Sequence, residues 1–266
     1  MKKLSLVPAL LMCLLLCPAA SAPQVNESAP QTRTLLTYNV GVFSKHGGNS
    51  LADVAGVIRF TGADAVSLNE LDSCNRRHGE FQLEELSRAL DGMSFRFAGA
   101  FPFAGGSYGD GVLCREEILR SFTLILDKGD GSEQRSASVV ETHSMVFAST
   151  HLDYASTAAA MHQADILNEW FTEHYGGSPK PVFLLGDMNA LPGSAVISSL
   201  EQCWERLSTD APTFPSPSPV KCIDYVFHLR SSAAVTVLES RVLDASEYDA
   251  IASASDHMPV LVRVSW

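Results

Sequence analysis

The sequence has little positive charge. Its 266 residues include 19 lysines and arginines against 30 aspartates and glutamates, which gives a formal net charge of −11. This balance argues against a broad basic face for a nucleic-acid backbone, although a local basic groove stays possible. An excess of carboxylates suits a divalent cation better than an unaided polyanion.

Two other absences narrow the class of protein. The chain has no C-x-x-C motif, which argues against a zinc ribbon or a thioredoxin-like redox site. Its 18 glycines and 13 prolines are ordinary usage, which excludes collagen-like and low-complexity chains. No repeat or long linker divides residues 33–266, so we predict one domain there.

Long apolar runs are also missing, apart from a short one at the N-terminus. Lys2 and Lys3 precede an apolar run over 4–17, and the sequence ASA follows at 20–22. This run is short for a membrane span, which needs about 20 residues. We therefore predict a signal peptide at 1–22 and a secreted or periplasmic protein with no transmembrane segment.

The residues next to the predicted cleavage site carry two further inferences. Cys17 follows Leu16 where a lipoprotein would have a small residue, so plain secretion is favoured over a lipid anchor. Residues 23–32 are polar and contain proline, and we expect a flexible lead-in there.

Cleavage leaves four cysteines, and two interpretations of them stay open: the disulfides Cys74–Cys114 and Cys203–Cys222, or four buried free thiols.

Beyond the lead-in, apolar strand-like runs alternate with helical segments. Several consecutive strands between 112 and 150 have no helix between them, which favours a mixed sheet system with helices outside over a purely parallel sheet. In the predicted helix at 156–174, one apolar face is expected, because Ala160, Ala164, Leu167 and Phe171 recur at helical spacing. The predicted strands are 34–40, 63–68, 95–100, 112–114, 122–126, 136–141, 145–150, 182–185, 223–228, 235–239 and 260–264, and the predicted helices are 51–60, 81–90, 156–174 and 194–200.

Polar clusters follow several of these apolar strands, where loops meet a pocket in α/β proteins. Carboxylates come from Glu70, Asp187 and Asp256, and amide oxygens from Asn39 and Asn189, a set suited to Mg²⁺ or Mn²⁺. The clusters have no thiol, so zinc is disfavoured. His151 and His257 add groups that bind a proton near neutral pH. A further cluster, IDYV at 223–226, places Asp224 inside an apolar strand.

Each of these residues taken alone has a structural interpretation. An asparagine can stabilise a turn, an acid can lie on the surface, and a histidine can be a hydrogen-bonded core residue. Their common position at strand ends weakens those interpretations jointly. The pattern indicates a metal-assisted hydrolase, because a phosphate ester needs a cation, hydrogen-bond donors around phosphorus and a base for water.

The motifs TYNV, LNELD, YGDGVLCR, STHLD, GDMNA, IDYVF and SDHMPV occur in this order. The chain therefore resembles the endonuclease/exonuclease/phosphatase superfamily from about residue 34 to residue 264. The resemblance implies a four-layer α/β sandwich in which two packed mixed β-sheets are flanked by helices. It also implies a Mg²⁺ cofactor, with Mn²⁺ as an alternative.

The resemblance implies a role for each site residue. Glu70 corresponds to the principal metal ligand, with Asn39 and Asp256 beside it at the metal. His257 corresponds to a histidine paired with a buried acid, Asp224. Either His257 or Asp187 would activate the water. Asn189 and His151 would donate hydrogen bonds to phosphoryl oxygens.

The chain also departs from the family pattern. Asn69 stands where the family usually has glutamine, and the YGN motif reads Tyr108-Gly109-Asp110. We hypothesise that Asp110 hydrogen-bonds His151. Arg76, or the arginine after it, is a candidate contact for substrate phosphate, with a solvated arginine pair as the alternative.

We conclude from the sequence that the protein is a secreted, divalent-metal-dependent phosphoesterase, attacking a phosphodiester or a phosphomonoester in line with water. A phosphorylated small molecule or a phospholipid headgroup is favoured over long DNA, because the chain is acidic. We expect a monomer. The alternatives are a secreted nuclease acting on DNA or RNA and, in a different class, a non-catalytic binding module on the same fold.

Overall fold

A computed structural model describes residues 30–266, which form two six-stranded sheets with helices packed on them. The predicted α/β four-layer sandwich of two mixed sheets is confirmed. The predicted signal peptide at 1–22 and most of the lead-in lie outside the described residues. The sheet begins earlier than predicted, because Gln31 and Trp266 already exchange two backbone hydrogen bonds.

The elements follow the predicted alternation. The strands are β1 (Thr32–Asn39), β2 (Ala65–Ser73), β3 (Ser94–Phe103), β4 (Gly106–Cys114), β5 (Arg120–Leu126), β6 (Arg135–Glu141), β7 (Val146–His151), β8 (Val182–Asp187), β9 (Trp204–Arg206), β10 (Asp224–Leu229), β11 (Thr236–Val242) and β12 (Val260–Ser265). The helices are α1 (Leu51–Thr61), α2 (Gln82–Ala89), α3 (Thr157–Tyr175), α4 (Ala195–Cys203) and α5 (Ile251–Ala254), with a 3-10 turn at Gly41–Phe43.

The first sheet has the strand order β11-β12-β1-β2-β4-β3. Its central pair, β1 and β2, is parallel, and the other pairs are antiparallel. Both faces of β1 are buried. Because side chains alternate between the two faces of a strand, neighbouring residues of β1 enter different cores. Leu35 packs in the core that contains residues of both sheets, whereas Leu36 packs in the core beneath α1 and α2.

The second sheet repeats this arrangement with the order β5-β6-β7-β8-β10-β9 and a parallel pair, β7 and β8. Phe147 and Phe183 face the first sheet, while the next residue along each strand packs against α3 and α4. The predicted apolar face of α3 is confirmed, since Ala160, Ala164, Leu167 and Phe171 are all buried. The Ser156 side chain caps this helix by accepting a hydrogen bond from the Ala159 N–H, which satisfies one free donor of the first turn.

The carboxyl ends of the two parallel pairs meet at one end of the sandwich. Asn39, the last residue of β1, donates a hydrogen bond to Asp187, the last residue of β8 (Nδ2–Oδ2 3.1 Å). The Asn69 side chain of β2 likewise donates to the Thr150 carbonyl of β7 (2.8 Å). Side chains from both sheets therefore converge on one place.

Some elements were not predicted. The sequence pattern identified only 112–114 of β4, because Gly106, Gly109 and Gly111 lower the apolar content of the strand. A Cβ at Gly109 would lie 2.0 Å from the Ala98 carbonyl oxygen, so close strand packing requires glycine there. The short elements β9 and α5 are too brief to carry a periodic signal.

Two further predictions can be compared with the structure. Cys74, Cys114, Cys203 and Cys222 are all free thiols, which agrees with the alternative without disulfides, but only Cys114 and Cys222 are buried; Cys74 is exposed and Cys203 is half-buried. Burial raises the pKa of Cys114 to about 12 and that of Cys222 to about 11, so both thiols stay protonated. Among the helices of residues 30–266, none combines the length and the apolar character required to cross a membrane.

Candidate active site

A cavity of about 540 Å³ opens where the strand ends converge. Most of the predicted site residues line it, namely Glu70, Tyr108, His151, Asp187, Asn189, Asp256 and His257. Three further predicted residues lie directly behind this lining. Asn39 hydrogen-bonds Glu70, and Asp224 hydrogen-bonds His257. Asp110 hydrogen-bonds Asn69, the neighbour of Glu70. Residues far apart in the sequence thus form one polar cavity.

The backbone around Glu70 is irregular, and this directs its side chain into the cavity. Glu70 has a φ of 59°, and the register between β2 and β4 shifts between Leu68 and Leu71. Such a bulge re-aims a side chain that a regular strand would point elsewhere. The neighbouring Asn69 side chain anchors the bulge by donating to Asp110 (2.9 Å) and to the Thr150 carbonyl (2.8 Å).

Glu70 and Asp256 present two carboxylates on one side of the cavity. The Lys45 ammonium lies between them, 3.1 Å from Glu70 Oε2 and 3.6 Å from Asp256 Oδ2. One positive charge therefore already contacts both carboxylates in this structure. Carboxylate oxygens are the ligands that Mg²⁺ prefers, so the residues present fit a magnesium or manganese ion.

Asn39 is at the site, but its amide oxygen does not face the expected metal position. Asn39 Oδ1 accepts a hydrogen bond from the Gly41 backbone N–H (3.1 Å), whereas Nδ2 donates to Glu70 Oε1 (3.2 Å) and to Asp187 Oδ2 (3.1 Å). That Asn39 acts at a metal stays a prediction, and in this geometry its oxygen is used by the Gly41 N–H. The tight turn at Gly41 takes up the oxygen, and Asn39 orients the two carboxylates instead.

His257 and Asp224 form the expected pair. His257 Nδ1 lies 2.9 Å from Asp224 Oδ2, and the same oxygen accepts a hydrogen bond from Thr213 Oγ1 (2.5 Å). Burial lowers the pKa of His257, but the negative charge of Asp224 and the hydrogen bond between them outweigh burial and raise the pKa. The pair fixes the ring so that Nε2 faces the cavity and Asp187 Oδ2, at 3.7 Å.

Asp187 lies at the centre of the site. It is directly opposite Asp224 in the antiparallel pairing of β8 with β10. Burial and the nearby charge of Asp224 raise the pKa of Asp187. Its Oδ1 accepts from the Asn189 N–H (2.8 Å), while Oδ2 faces both His257 and His151. Asp187 Oδ2 thus lies between the two imidazoles, 3.5 Å from His151 Nε2 and 3.7 Å from His257 Nε2.

His151 is held as a neutral imidazole. Its Nε2 lies 2.8 Å from the Asn189 side-chain nitrogen, and its Nδ1 lies 3.4 Å from the Arg135 guanidinium. Burial and the charge of Arg135 lower the pKa of His151 well below its usual value. Both ring nitrogens thus face N–H groups; a neutral imidazole can accept a hydrogen bond from one of them, whereas an imidazolium could accept from neither.

Arg135 is a site residue that the sequence analysis missed. It lines the cavity, is 2 % exposed and forms one ion pair, with Glu133 (3.3 Å). Within residues 30–266, its Nε atom has no hydrogen-bond partner. A buried guanidinium with a free N–H favours an anionic ligand. The one sequence signal was an arginine directly before the apolar run of β6.

The hypothesis that Asp110 hydrogen-bonds His151 is wrong for this geometry. The Asp110 carboxylate accepts from Asn69, and Arg135 occupies the Nδ1 side of His151. Burial raises the pKa of Asp110 to about 7. The acid therefore supports the bulge at Glu70 through Asn69 rather than the histidine.

Arg76 is not brought to the cavity. Its side chain is exposed, and its backbone N–H donates to the Ala104 carbonyl. The next residue, Arg77, forms two hydrogen bonds with Asp72 (2.7 and 2.8 Å) and stacks on Phe103 (4.6 Å). Contact with substrate phosphate by Arg76 is therefore not supported, because its side chain does not line the cavity.

Asp187, Asp224 and His257 also present ligand atoms within 4.8 Å of one another and could hold a metal ion. However, Asp224 Oδ2 is already shared by Thr213 and His257. Those hydrogen bonds suit an acid–base pair better than a metal centre, so the Glu70 and Asp256 position is the better cation site.

The chain is similar to known proteins in both sequence and fold. The endonuclease/exonuclease/phosphatase family profile matches residues 36–257. No curated protein matches the sequence. Among solved structures, an endonuclease/exonuclease/phosphatase from Bacteroides vulgatus is 19% identical, with 88% of this chain and 98% of that chain covered and a TM-score of 0.71.

Two other solved structures are similar to this chain. The Bacteroides thetaiotaomicron mannosyl-6-phosphatase is 19% identical over 88% of this chain and 100% of that chain, with a TM-score of 0.68. An endonuclease/exonuclease/phosphatase from Beutenbergia cavernae is 21% identical over 88% of this chain and 71% of that chain, with a TM-score of 0.69. At these identities the structural likeness concerns the fold alone.

Proposed function

The chain belongs to the endonuclease/exonuclease/phosphatase family, and we propose that it is a secreted, divalent-metal-dependent phosphoesterase. The observation that carries this proposal is the shared cavity of Glu70, Asp187 and His257, in which cation-binding and proton-transferring groups face one another. A phosphorus centre between them would have a cation on one side and a base on the other.

Glu70 and Asp256 would hold the metal, Mg²⁺ or Mn²⁺. When bound, this ion supplies positive charge that offsets the charge developing on the phosphoryl oxygens. Asn39 contributes by donating to Glu70, which keeps one carboxylate oxygen oriented.

Asp187 and His257 would position the attacking water. Their facing atoms, Oδ2 and Nε2, are 3.7 Å apart, and both line the cavity. A water held by this pair can give up its proton as it attacks phosphorus. Asp224 holds the His257 ring in place from behind.

Arg135, His151 and Asn189 would receive the phosphate oxygens. The Asn189 side-chain nitrogen already contacts His151 Nε2 (2.8 Å) and the Leu152 carbonyl (3.0 Å), so these two residues would donate to phosphate once substrate displaces those contacts. Arg135 presents a guanidinium next to His151, and its Nε has no hydrogen-bond partner within residues 30–266. Donors fixed before substrate binds stabilise developing charge without reorganisation.

The substrate class follows from the size and charge of the site. A cavity of about 540 Å³ is in the range of small-molecule sites. With a formal charge of −11, the chain disfavours long DNA. We therefore propose a phosphorylated small molecule or a phospholipid headgroup, and one similar structure is that of a mannosyl-6-phosphatase.

The test is turnover of bis-p-nitrophenyl phosphate and p-nitrophenyl phosphate with Mg²⁺, with and without a chelator. We expect turnover that the chelator abolishes and that His257→Ala reduces by about 100-fold or more. Preferential cleavage of DNA or RNA in a wider screen would support the nuclease alternative. Absence of metal-dependent turnover on every phosphate ester tested would support the binding module and overturn the proposal.

Export rests on the N-terminal sequence pattern alone. Determining the N-terminus of the protein recovered from outside the cytoplasm should give Pro23, because cleavage is expected after Ala22. An intact N-terminus would contradict this. Light scattering would check the predicted monomer.

A further inference from the structure

The Lys45 side chain lies where a metal ion is expected. Its Nζ contacts Glu70 Oε2 (3.1 Å) and Asp256 Oδ2 (3.6 Å), and the side chain is 36% exposed. These are the two carboxylates that best fit a divalent cation. The sequence analysis had not singled out this lysine.

The surrounding chain is shaped to hold Lys45 in this position. Gly41 has a φ of 54°, and a Cβ there would lie 2.2 Å from Lys45 Cγ and 3.2 Å from Asp256 Oδ1. The absence of a side chain at Gly41 thus leaves the room that the lysine stem occupies. After the lysine, the loop is tied to the segment before Asp256: His46 Nε2 lies 3.0 Å from the Ser255 carbonyl oxygen, and Ser50 Oγ donates to the Ala254 carbonyl (2.6 Å).

We propose that Lys45 is a built-in counter-ion that competes with the divalent cation for Glu70 and Asp256. An ammonium and a divalent ion that contact the same carboxylates repel each other, so each weakens the binding of the other. Metal binding should therefore displace the Lys45 ammonium from Glu70 and Asp256. Because the lysine stem is flexible, the ammonium stays in the cavity that Lys45 already lines. There it can contact an anionic oxygen of the substrate. This inference rests on the proposed metal-dependent function.

Metal affinity provides the first test. Titration of the full chain with Mg²⁺ or Mn²⁺ should give a dissociation constant about tenfold lower for Lys45→Met than for the wild type, because two ammonium–carboxylate contacts no longer oppose binding. Lys221→Met is the matched control. Lys221 lines the same cavity but has no ion pair with either carboxylate within the described chain, so its removal should change the constant by less than about twofold.

Amine labelling of the unmodified protein provides the second test and does not depend on a variant folding. In the metal-free protein, the carboxylates shield the Lys45 amine from an acylating reagent. Saturating Mg²⁺ should increase Lys45 labelling severalfold, whereas labelling of Lys221 in the same sample should stay constant. Mass spectrometry of the peptides measures both.

The outcomes separate this inference from the proposed function. Unchanged or weaker metal binding by Lys45→Met, an equal gain in Lys221→Met, or constant Lys45 labelling would overturn the competition. Failure of the wild type to bind either metal ion would overturn the metal-dependent function itself.

Discussion

Replacing Asp224 by asparagine removes one negative charge from the back of the site with little change in shape. The carboxylate is 1 % exposed, and its Oδ2 contacts His257 Nδ1 (2.9 Å) and Thr213 Oγ1 (2.5 Å). An asparagine keeps an oxygen for one of these partners but cannot keep the charge. The imidazole therefore loses the group that orients it and favours its protonated form.

The expected magnitude follows from the burial of the pair. Removing one partner of a buried ion pair costs about 3–5 kcal/mol. If the proposed reaction depends on that interaction, Asp224→Asn should lower kcat by about 10²–10⁴-fold, since about 1.4 kcal/mol of activation free energy corresponds to a factor of ten. We expect KM to change by less than about threefold, because Asp224 lies behind the cavity lining and cannot bind substrate directly.

Steady-state kinetics with p-nitrophenyl esters measures this effect, with unfolding followed in parallel. Folding raises the pKa of His257 from 6.5 to about 10, so the pair stabilises the protein fully below pH 6.5 and ceases to do so as the pH rises through 10. The loss of unfolding free energy in Asp224→Asn should accordingly be larger near pH 6 than near pH 10. The reasoning is refuted if kcat stays within about threefold of the wild type, or if Asp224→Asn and His257→Ala reduce kcat additively in the double variant.

Three further predictions follow from other parts of the structure. Arg135→Met should lower kcat/KM by about 100-fold without reducing thermal stability, because the buried Nε of Arg135 has no hydrogen-bond partner within residues 30–266. A decrease of kcat/KM by less than about threefold would contradict this. Gly186→Ala should lower the unfolding free energy in urea by more than about 3 kcal/mol, since φ is 146° and a Cβ would lie 1.8 Å from the Thr150 carbonyl oxygen; wild-type stability would contradict this. Burial opposes ionisation of Glu116, but hydrogen bonds from Ser144 and Arg33 lower its pKa from 4.5 to about 2. The ionised Glu116 therefore stabilises the protein fully above pH 4.5, and this stabilisation is lost as the pH falls toward 2. Glu116→Gln should lower the free energy of unfolding by about 2 kcal/mol near neutral pH and should not lower it in acid. Urea unfolding at a series of pH values measures this difference.

Much of the fold could be predicted because buried strands carry a strong local signal. Runs such as the one ending at Asn39 are apolar on both faces and end in polar residues, and this pattern depends only on neighbouring positions. Where glycine interrupts the pattern, as at Gly109 in β4, the signal fails although the strand persists. The reason for that glycine is a contact with another strand, which the local sequence does not contain.

The candidate site was predictable to the extent that its residues form motifs at strand ends. Glu70, Asp187 and His257 were identified in this way. Arg135 and Lys45 were missed because neither belongs to a polar cluster at a strand end; one begins a strand and the other lies in a loop. The orientation of Asn39 was also beyond the sequence, since it depends on the backbone conformation of Gly41.

The two sheets contact each other through hydrogen bonds as well as through the apolar core that they share. Ser67 Oγ donates to Ser149 Oγ (2.7 Å), and the Asn39 and Asn69 side chains cross the same seam. Because hydrogen bonds weaken steeply as their distances and angles change, these bonds oppose sliding of one sheet over the other. A molecule that binds across the seam would act as a brace, and slower amide exchange in the central strands of both halves would reveal it.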